Sequence, residues 1–262
     1  YIWHSIDTMQ SAKEYLIQEG LNQYINLDAN ADFKEGAFDA VSGKLNIPFP
    51  PVAEDLARLH RLIRKRKAFT VLEFGSGLST IVMADALSKN KADFLALKQK
   101  PELRNRFMFQ IFSVESDKQW IEHSQSNFPK HLLEHVNFHY SEIKVDTFNG
   151  RICHFYDNLP DIVPDFIYLD GPNPKDVKGN INGMTFQCDE RTVMAADLLL
   201  MESILLPGTF IIVDGRTNNA RFLKNNFQRN FEMSWDKDDD VTSFELKEER
   251  LGKYNILGSD FY

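Results

Sequence analysis

Residues 71–80 read Val71-Leu72-Glu73-Phe74-Gly75-Ser76-Gly77-Leu78-Ser79-Thr80, an apolar run with an acid near its end that breaks into a glycine turn just before a helical pattern. This reads as a buried strand, a tight turn and a helix. Gly75 and Gly77 let the backbone turn sharply and approach a ligand, and the helix opening near Leu78 aims free N–H groups into the crevice at the strand's carboxyl end.

A dinucleotide fingerprint would continue as G-x-G-x-x-G with an acid about 20 residues on. Here Thr80 stands where the third glycine belongs, and the gap from Gly77 to the next strand-ending acid, Glu115, is wide. Glu73 would also face a pyrophosphate with like charge, which disfavours a phosphate-bearing ligand and suits a cationic one. A nicotinamide-dependent oxidoreductase is therefore a weaker alternative. The pattern Glu-x-Gly-x-Gly-x-Ser instead resembles the first motif of class I S-adenosylmethionine (SAM) methyltransferases, whose cofactor carries an ammonium and a sulfonium but no phosphate.

Working outward, Ile111-Phe112-Ser113-Val114-Glu115 is a second apolar strand ending in an acid, and Val136-Asn137-Phe138-His139-Tyr140 a third. Residues 165–172, Asp165-Phe166-Ile167-Tyr168-Leu169-Asp170-Gly171-Pro172, give a fourth, and 208–215, ending Val213-Asp214-Gly215, a fifth. Helical stretches separate them, one expected over 192–206, and such alternation makes a parallel sheet covered on both faces. Phe231-Glu232-Met233-Ser234-Trp235 and Val241-Thr242-Ser243-Phe244-Glu245-Leu246 read as a closing hairpin across five residues, four of them acidic. The expected fold is thus α/β, similar to the Rossmann-like seven-stranded methyltransferase sheet: mostly parallel, with a C-terminal antiparallel hairpin and helices on both faces. The phrases at 168–172 and 213–223 look like a little-characterised bacterial branch of that superfamily. A single domain over 1–262 is expected, with an N-terminal helical accessory or lid segment (1–69), a cofactor-binding core (70–246) and a tail (247–262).

At 262 residues and 43% hydrophobic the chain can bury one substantial core. A net charge of -8 argues against nucleic acid as a partner. Cys153 and Cys188 are the only cysteines, which allows one bridge and fits a reduced, cytoplasmic compartment equally well. No stretch approaches the roughly 18 apolar residues of a membrane span, and no basic-then-apolar leader opens the chain, though an upstream segment stays open. A homo-oligomer also stays open.

In the accessory segment a helix is expected over 9–19, then polar loop, then Ile47-Pro48-Phe49-Pro50-Pro51 leading into a helix whose stripe Val52, Leu56, Leu59, Ile63 is a core face. The basic run Arg61, Arg64, Lys65, Arg66, Lys67 suits that helix's carboxyl end. Residues 87–111 exceed an ordinary connection, and Lys89, Lys91, Lys98, Lys100, Arg104 and Arg106 mark them as a solvated insertion. His131-Leu132-Leu133-Glu134-His135 matches the H-x-x-E-H zinc signature of inverzincin proteases, but it lies away from the cofactor edge of the sheet.

The resemblance assigns Glu73, Gly75, Ser76, Gly77 and Ser79 to the methionine side of a SAM site, Glu115 to the ribose, and Ser116, Ser141 and Glu142 to the adenine. Asp170 and Asp214 end adjacent strands at the ligand-bearing edge and are the leading catalytic candidates; Asp170 would border both cofactor and acceptor. Arg216 either orients the substrate or pairs with Asp214. The loop 173–183 is expected to face substrate, and Tyr156 and His154 to lie in the connection before the fourth strand. In the catechol O-methyltransferase group two such aspartates and an asparagine hold a divalent ion. Here Gly215 takes the asparagine's place, so a metal site is not favoured unless Asn218 or Asn219 bends back. The expected activity is methyl transfer from SAM to a small hydroxylated or amine-bearing acceptor, a class that includes sugars and nucleotide-sugars. The alternative is a non-catalytic binding or regulatory protein on the same fold.

Overall fold

The computed structural model describes residues 10–27, 51–188, 190–250, 252–253 and 256–261. Seven strands form one sheet in the order β3-β2-β1-β6-β8-β10-β9. They are β1 (Thr70–Phe74), β2 (Gln110–Glu115), β3 (Val136–Tyr140), β6 (Phe166–Leu169), β8 (Phe210–Asp214), β9 (Phe231–Asp236) and β10 (Val241–Leu246). The first five run parallel, and β10 lies antiparallel to both β8 and β9. The expected fold, a Rossmann-like sheet closed by an antiparallel hairpin, is the one observed.

The central strands are apolar on both faces because both faces are covered. Side chains alternate: Val71, Phe166, Tyr168, Phe210 and Ile212 enter one core with α2 (Ala53–Arg66) and α3 (Leu78–Leu95), while Leu72, Phe74, Ile167, Leu169, Ile211 and Val213 enter the other, which includes Ala220 and Leu223 of α6 (Thr217–Asn226). The helix before α2 is α1 (Ala12–Gln18), started by a reciprocal cap between Ser11 and Glu14. Of the expected helix at 9–19, Met9 lies outside the described residues, as do residues 47–50 of the proline-rich run.

On α2 the residues Leu56, Leu59 and Ile63 are buried as expected, but Val52 precedes the helix and is 49% exposed. A buried chain of hydrogen bonds fastens α1, α2 and α3: Tyr15 Oη lies 2.7 Å from His60 Nδ1, and His60 Nε2 2.9 Å from Asp85. The basic run does sit at the carboxyl end of α2, where Arg64 and Lys67 pair with Asp93 and Arg66 with Glu245. The insertion at 87–111 is half helix, since α3 continues to Leu95. Lys89 on it pairs with Glu19 and Asp85, and Lys91 with Glu134.

A second sheet, β5-β4-β7, was not expected. It consists of the hairpin β4 (Ile143–Phe148) and β5 (Arg151–Tyr156), with the short β7 (Val177–Lys178) parallel to β4. His154 and Tyr156 thus lie on a strand and are buried, which corrects their placement in a connection. The helix expected at 192–206 shrinks to α5 (Asp197–Met201) and a 3-10 turn, Glu202–Ile204. The preceding residues are extended because other partners take their backbone: His154 N donates to Met194 O, Ala196 N to His154 O, and the Asn219 amide holds both N and O of Ala195.

The H-x-x-E-H residues fall in a 3-10 turn, Lys130–His135, after α4 (Lys118–Asn127). His131 Nε2 meets the Tyr24 hydroxyl at 3.1 Å, and buried His135 Nδ1 donates to Phe109 O at 2.8 Å. The two histidines serve separate packing contacts.

Candidate functional site

The carboxyl end of β1 is built around a buried acid. Glu73 is fully buried and its oxygens accept from Ser79 Oγ at 2.5 Å and Thr80 Oγ1 at 2.6 Å. Burial pushes its pKa up to about 8, against the pull of those hydroxyls. Glu73 therefore sets the glycine turn from beneath and does not reach the cleft above it. Gly75 needs its freedom, with φ of 119°. At the neighbouring strand end Gly171 N donates to Phe74 O at 2.6 Å, and a Cβ on Gly171 would lie only 2.9 Å from that oxygen. That close approach locks the ends of β1 and β6 side by side.

Gly77 differs. Its backbone is extended, its N–H donates to Thr80 Oγ1 at 3.0 Å, and a Cβ built on it meets nothing within 4 Å. Nothing among the described residues demands glycine there, and the space above it is open.

Glu115 ends β2 next door. Its Oε1 accepts from the N–H groups of Ser116 (2.7 Å) and Asp117 (3.1 Å), and Oε2 accepts from Ser76 Oγ at a longer 3.3 Å. Burial raises its pKa, opposed by those backbone donors. Trp120 Nε1 donates to Ser76 O at 2.7 Å and so braces the outer side of the turn. Ser141 is buried and committed: its Oγ donates to Glu142 O and accepts from Asn158 N, while its own N–H donates to Glu115 O. Ser116 Oγ donates to Glu115.

A cleft of about 840 Å³ opens over these strand ends. It collects Ser76, Gly77, Ser79, Asp170, Asp214 and Arg216 of the expected residues, while Glu73, Gly75, Glu115, Ser116 and Ser141 stand behind or beside its walls. Residues without a sequence assignment join it, among them Asp55 from the first turn of α2, Trp120 and Tyr168. Tyr168 could have been found, since it lies two residues before Asp170 and so on the same strand face.

Asp214 accepts from the Tyr168 hydroxyl at 2.6 Å, and Asp55 from Arg58 at 2.6 Å. Asp170 opens into the cleft, and its carboxylate has no hydrogen-bond partner among the described residues. All three pKa values are raised. The surrounding walls are the main cause each time, and the acids add to one another: Asp214 acts on Asp55, Asp55 on Asp170, and Asp170 on Asp214. Arg216 does not pair with Asp214, one of the two roles open to it from the sequence. Its guanidinium donates to the backbone carbonyls of Asp170 and Pro172, holding the loop after β6.

His154 is fully buried, and neither ring nitrogen has a partner among the described residues. Burial pushes its pKa down to about 3, so it is neutral, and it is not among the residues lining the cleft. Asn219 is likewise spent on Ala195 and cannot complete a metal set with Asp170 and Asp214. Among the described residues no group of three or more His, Cys, Asp or Glu side chains is arranged to hold a metal. Cys153 and Cys188 are free thiols, and none of the described helices is long and apolar enough to cross a membrane.

No family model and no curated protein matches the chain. Among solved structures it is similar to a methyltransferase of Podospora anserina bound to S-adenosylhomocysteine (SAH), at 12% identity over 94% of this chain and 92% of that one, with a TM-score of 0.49. It is also similar to the O-methyltransferase TomG of Streptomyces achromogenes, solved with SAM (14% identity, 87% and 98% coverage, TM-score 0.43). An RNA methyltransferase of Salinibacter ruber, solved with SAH, is similar at 15% identity over 78% of this chain and 95% of that one, with a TM-score of 0.37. Each of these is a loose likeness.

Proposed function

We propose that the chain is a SAM-dependent methyltransferase acting on a small hydroxylated or amine-bearing acceptor, sugars and nucleotide-linked sugars falling within that class. The observation that carries the reading is the unfilled space over Gly77, beside a strand-ending carboxylate on β2 and continuous with a cleft floored by Asp170 and Asp214. A glycine that the protein's own packing does not require, next to a turn rigidified from below, fits a cofactor pressed onto the backbone.

When bound, SAM supplies a methyl group on a cationic sulfonium, already activated for displacement. The chain's work is then to bind and orient. Glu115 would accept from both ribose hydroxyls, with Ser116 and the turn at Ser141 and Glu142 flanking the adenine. Glu73 and Ser79 would fix the methionine side through the turn, an indirect role for Glu73. Asp170, uncommitted and facing the cleft, would border cofactor and acceptor and take the acceptor's proton; Asp214, oriented by Tyr168, would support it. Arg216 would hold the Asp170 loop in place, and α2 would wall the acceptor side.

Calorimetric titration with SAM, and separately with NAD, tests the reading. Micromolar SAM binding with no NAD signal is expected. Charge-assisted hydrogen bonds contribute about 1.5–3 kcal/mol each, so losing both in Glu115→Ala should weaken SAM binding by about 100-fold or more while the thermal transition stays cooperative. Unchanged affinity removes Glu115 from the site; NAD binding in place of SAM, or no binding of either, refutes the methyltransferase.

A further inference from the structure

Three carboxylates from three separate elements converge on the cleft: Asp55 from α2, Asp170 from the end of β6 and Asp214 from the end of β8. Two arginines also line it, Arg216 donating to the carbonyls of Asp170 and Pro172 and Arg191 to Thr185 O at 2.7 Å. Arg58 is divided between Asp55 and Asp239. The Asp170 carboxylate has no donor among the described residues; the acids raise one another's pKa while Arg58 and Arg216 pull the other way, and a cation seated against Asp170 would complete that neutralisation. A phosphate or carboxylate seated against that side chain would face like charge. Beside the acids stand Val52, half exposed, and Trp120, which offer an apolar wall to the rest of a ligand.

We propose that the methyl acceptor is a small organic amine, bound as its ammonium against Asp55 and methylated on nitrogen after Asp170 takes its proton. The inference rests on the methyltransferase reading and narrows its acceptor class. Asp55 becomes the residue that selects the acceptor, and Asp170 the one that prepares it. An ammonium has no lone pair, so one N–H proton must first pass to the Asp170 carboxylate. The freed amine then forms an N–C bond with the sulfonium methyl as the C–S bond breaks. The electron pair of that bond stays on sulfur, giving the neutral thioether of SAH. The product is again an ammonium, held by the same acids until it loses a proton to water.

The test uses the whole chain saturated with SAH and titrated calorimetrically with 2-phenylethylamine and with 2-phenylethanol, its uncharged counterpart. The amine should bind at least tenfold more tightly, and Asp55→Asn should abolish that preference while SAH affinity and melting temperature stay as in the wild type. Equal or weaker binding of the amine overturns the inference, saturation by neither compound included, as does a preference that survives in Asp55→Asn. Should that variant fail to fold, the wild-type comparison of the two compounds decides alone. Failure to bind SAH at all would bring down the methyltransferase reading as well, whereas SAH binding without amine preference would sink only the acceptor assignment.

Discussion

Glu73 and Glu115 look alike in the sequence, each an acid near the end of an apolar strand, and the fold gives them different surroundings. Glu73 sits one residue before the end of β1 and is buried under the turn it organises. Glu115 is the last residue of β2, and the backbone N–H groups of Ser116 and Asp117 converge on it. Strand-end position was legible; which carboxylate lies under the turn was not, because that depends on how helix α3 folds back over it. Gly77 separates ligand from scaffold most sharply. Replacing it with alanine puts a methyl group where none of the described residues lies within 4 Å, so Gly77→Ala should leave the melting temperature within about 2 °C, as surface changes usually do for a chain of this size. SAM affinity should nevertheless drop by at least tenfold. A lowered melting temperature with unchanged affinity would show that the glycine serves the fold alone.

Among the elements, every strand of the main sheet was legible because each is a short apolar run bounded by turn residues, whereas the β4–β5 hairpin was overlooked. Its signal was present: Ile143-Lys144-Val145-Asp146 alternates, and Asn149-Gly150 is the residue pair that a tight hairpin turn demands. Both turn residues have positive φ, 49° and 72°. The hidden part was the partner, since β7 lies far along the chain and no local pattern announces it. The shortened α5 is the converse error, helix-forming composition at 192–196 overridden by backbone partners on β5 and by Asn219. A β-branched residue at a left-handed position costs about 1–2 kcal/mol, so Gly150→Val should lower stability by that amount in urea denaturation. The turn is remote from the glycine loop, and SAM binding at saturating stability should be unchanged. A neutral effect on stability would mean that the hairpin contributes little to the fold.

For the whole molecule, the layered sheet was readable from strand and helix alternation, but the strongly raised pKa values of three buried acids, Glu73, Asp197 and Asp165 (pushed up to about 6), were not, because burial is a tertiary property. Asp197 is pushed up to about 7 by burial, with one oxygen accepting from Tyr156 N and the other unpartnered among the described residues, and Glu73 to about 8. In the unfolded chain both ionise near their ordinary values of 3.8 and 4.5. The folded state therefore holds more protons than the unfolded one as pH rises past those values, and stability falls until the folded groups have titrated. Buried His154, pushed down to about 3 from 6.5, acts in the opposite sense, its contribution rising with pH and complete above 6.5. Only above 6.5 do the acids act without that opposition. Urea midpoints should therefore decline from pH 6.5 to pH 8. Glu73→Gln cannot ionise and should remove the Glu73 share of the decline, about 2 kcal/mol at 1.4 kcal/mol per pH unit for one proton, leaving the shallower slope due to Asp197. A midpoint that rises over this interval, or a slope that Glu73→Gln leaves untouched, would mean that Glu73 is ionised beneath the turn at neutral pH and that its two hydroxyl donors outweigh the cost of burying its charge.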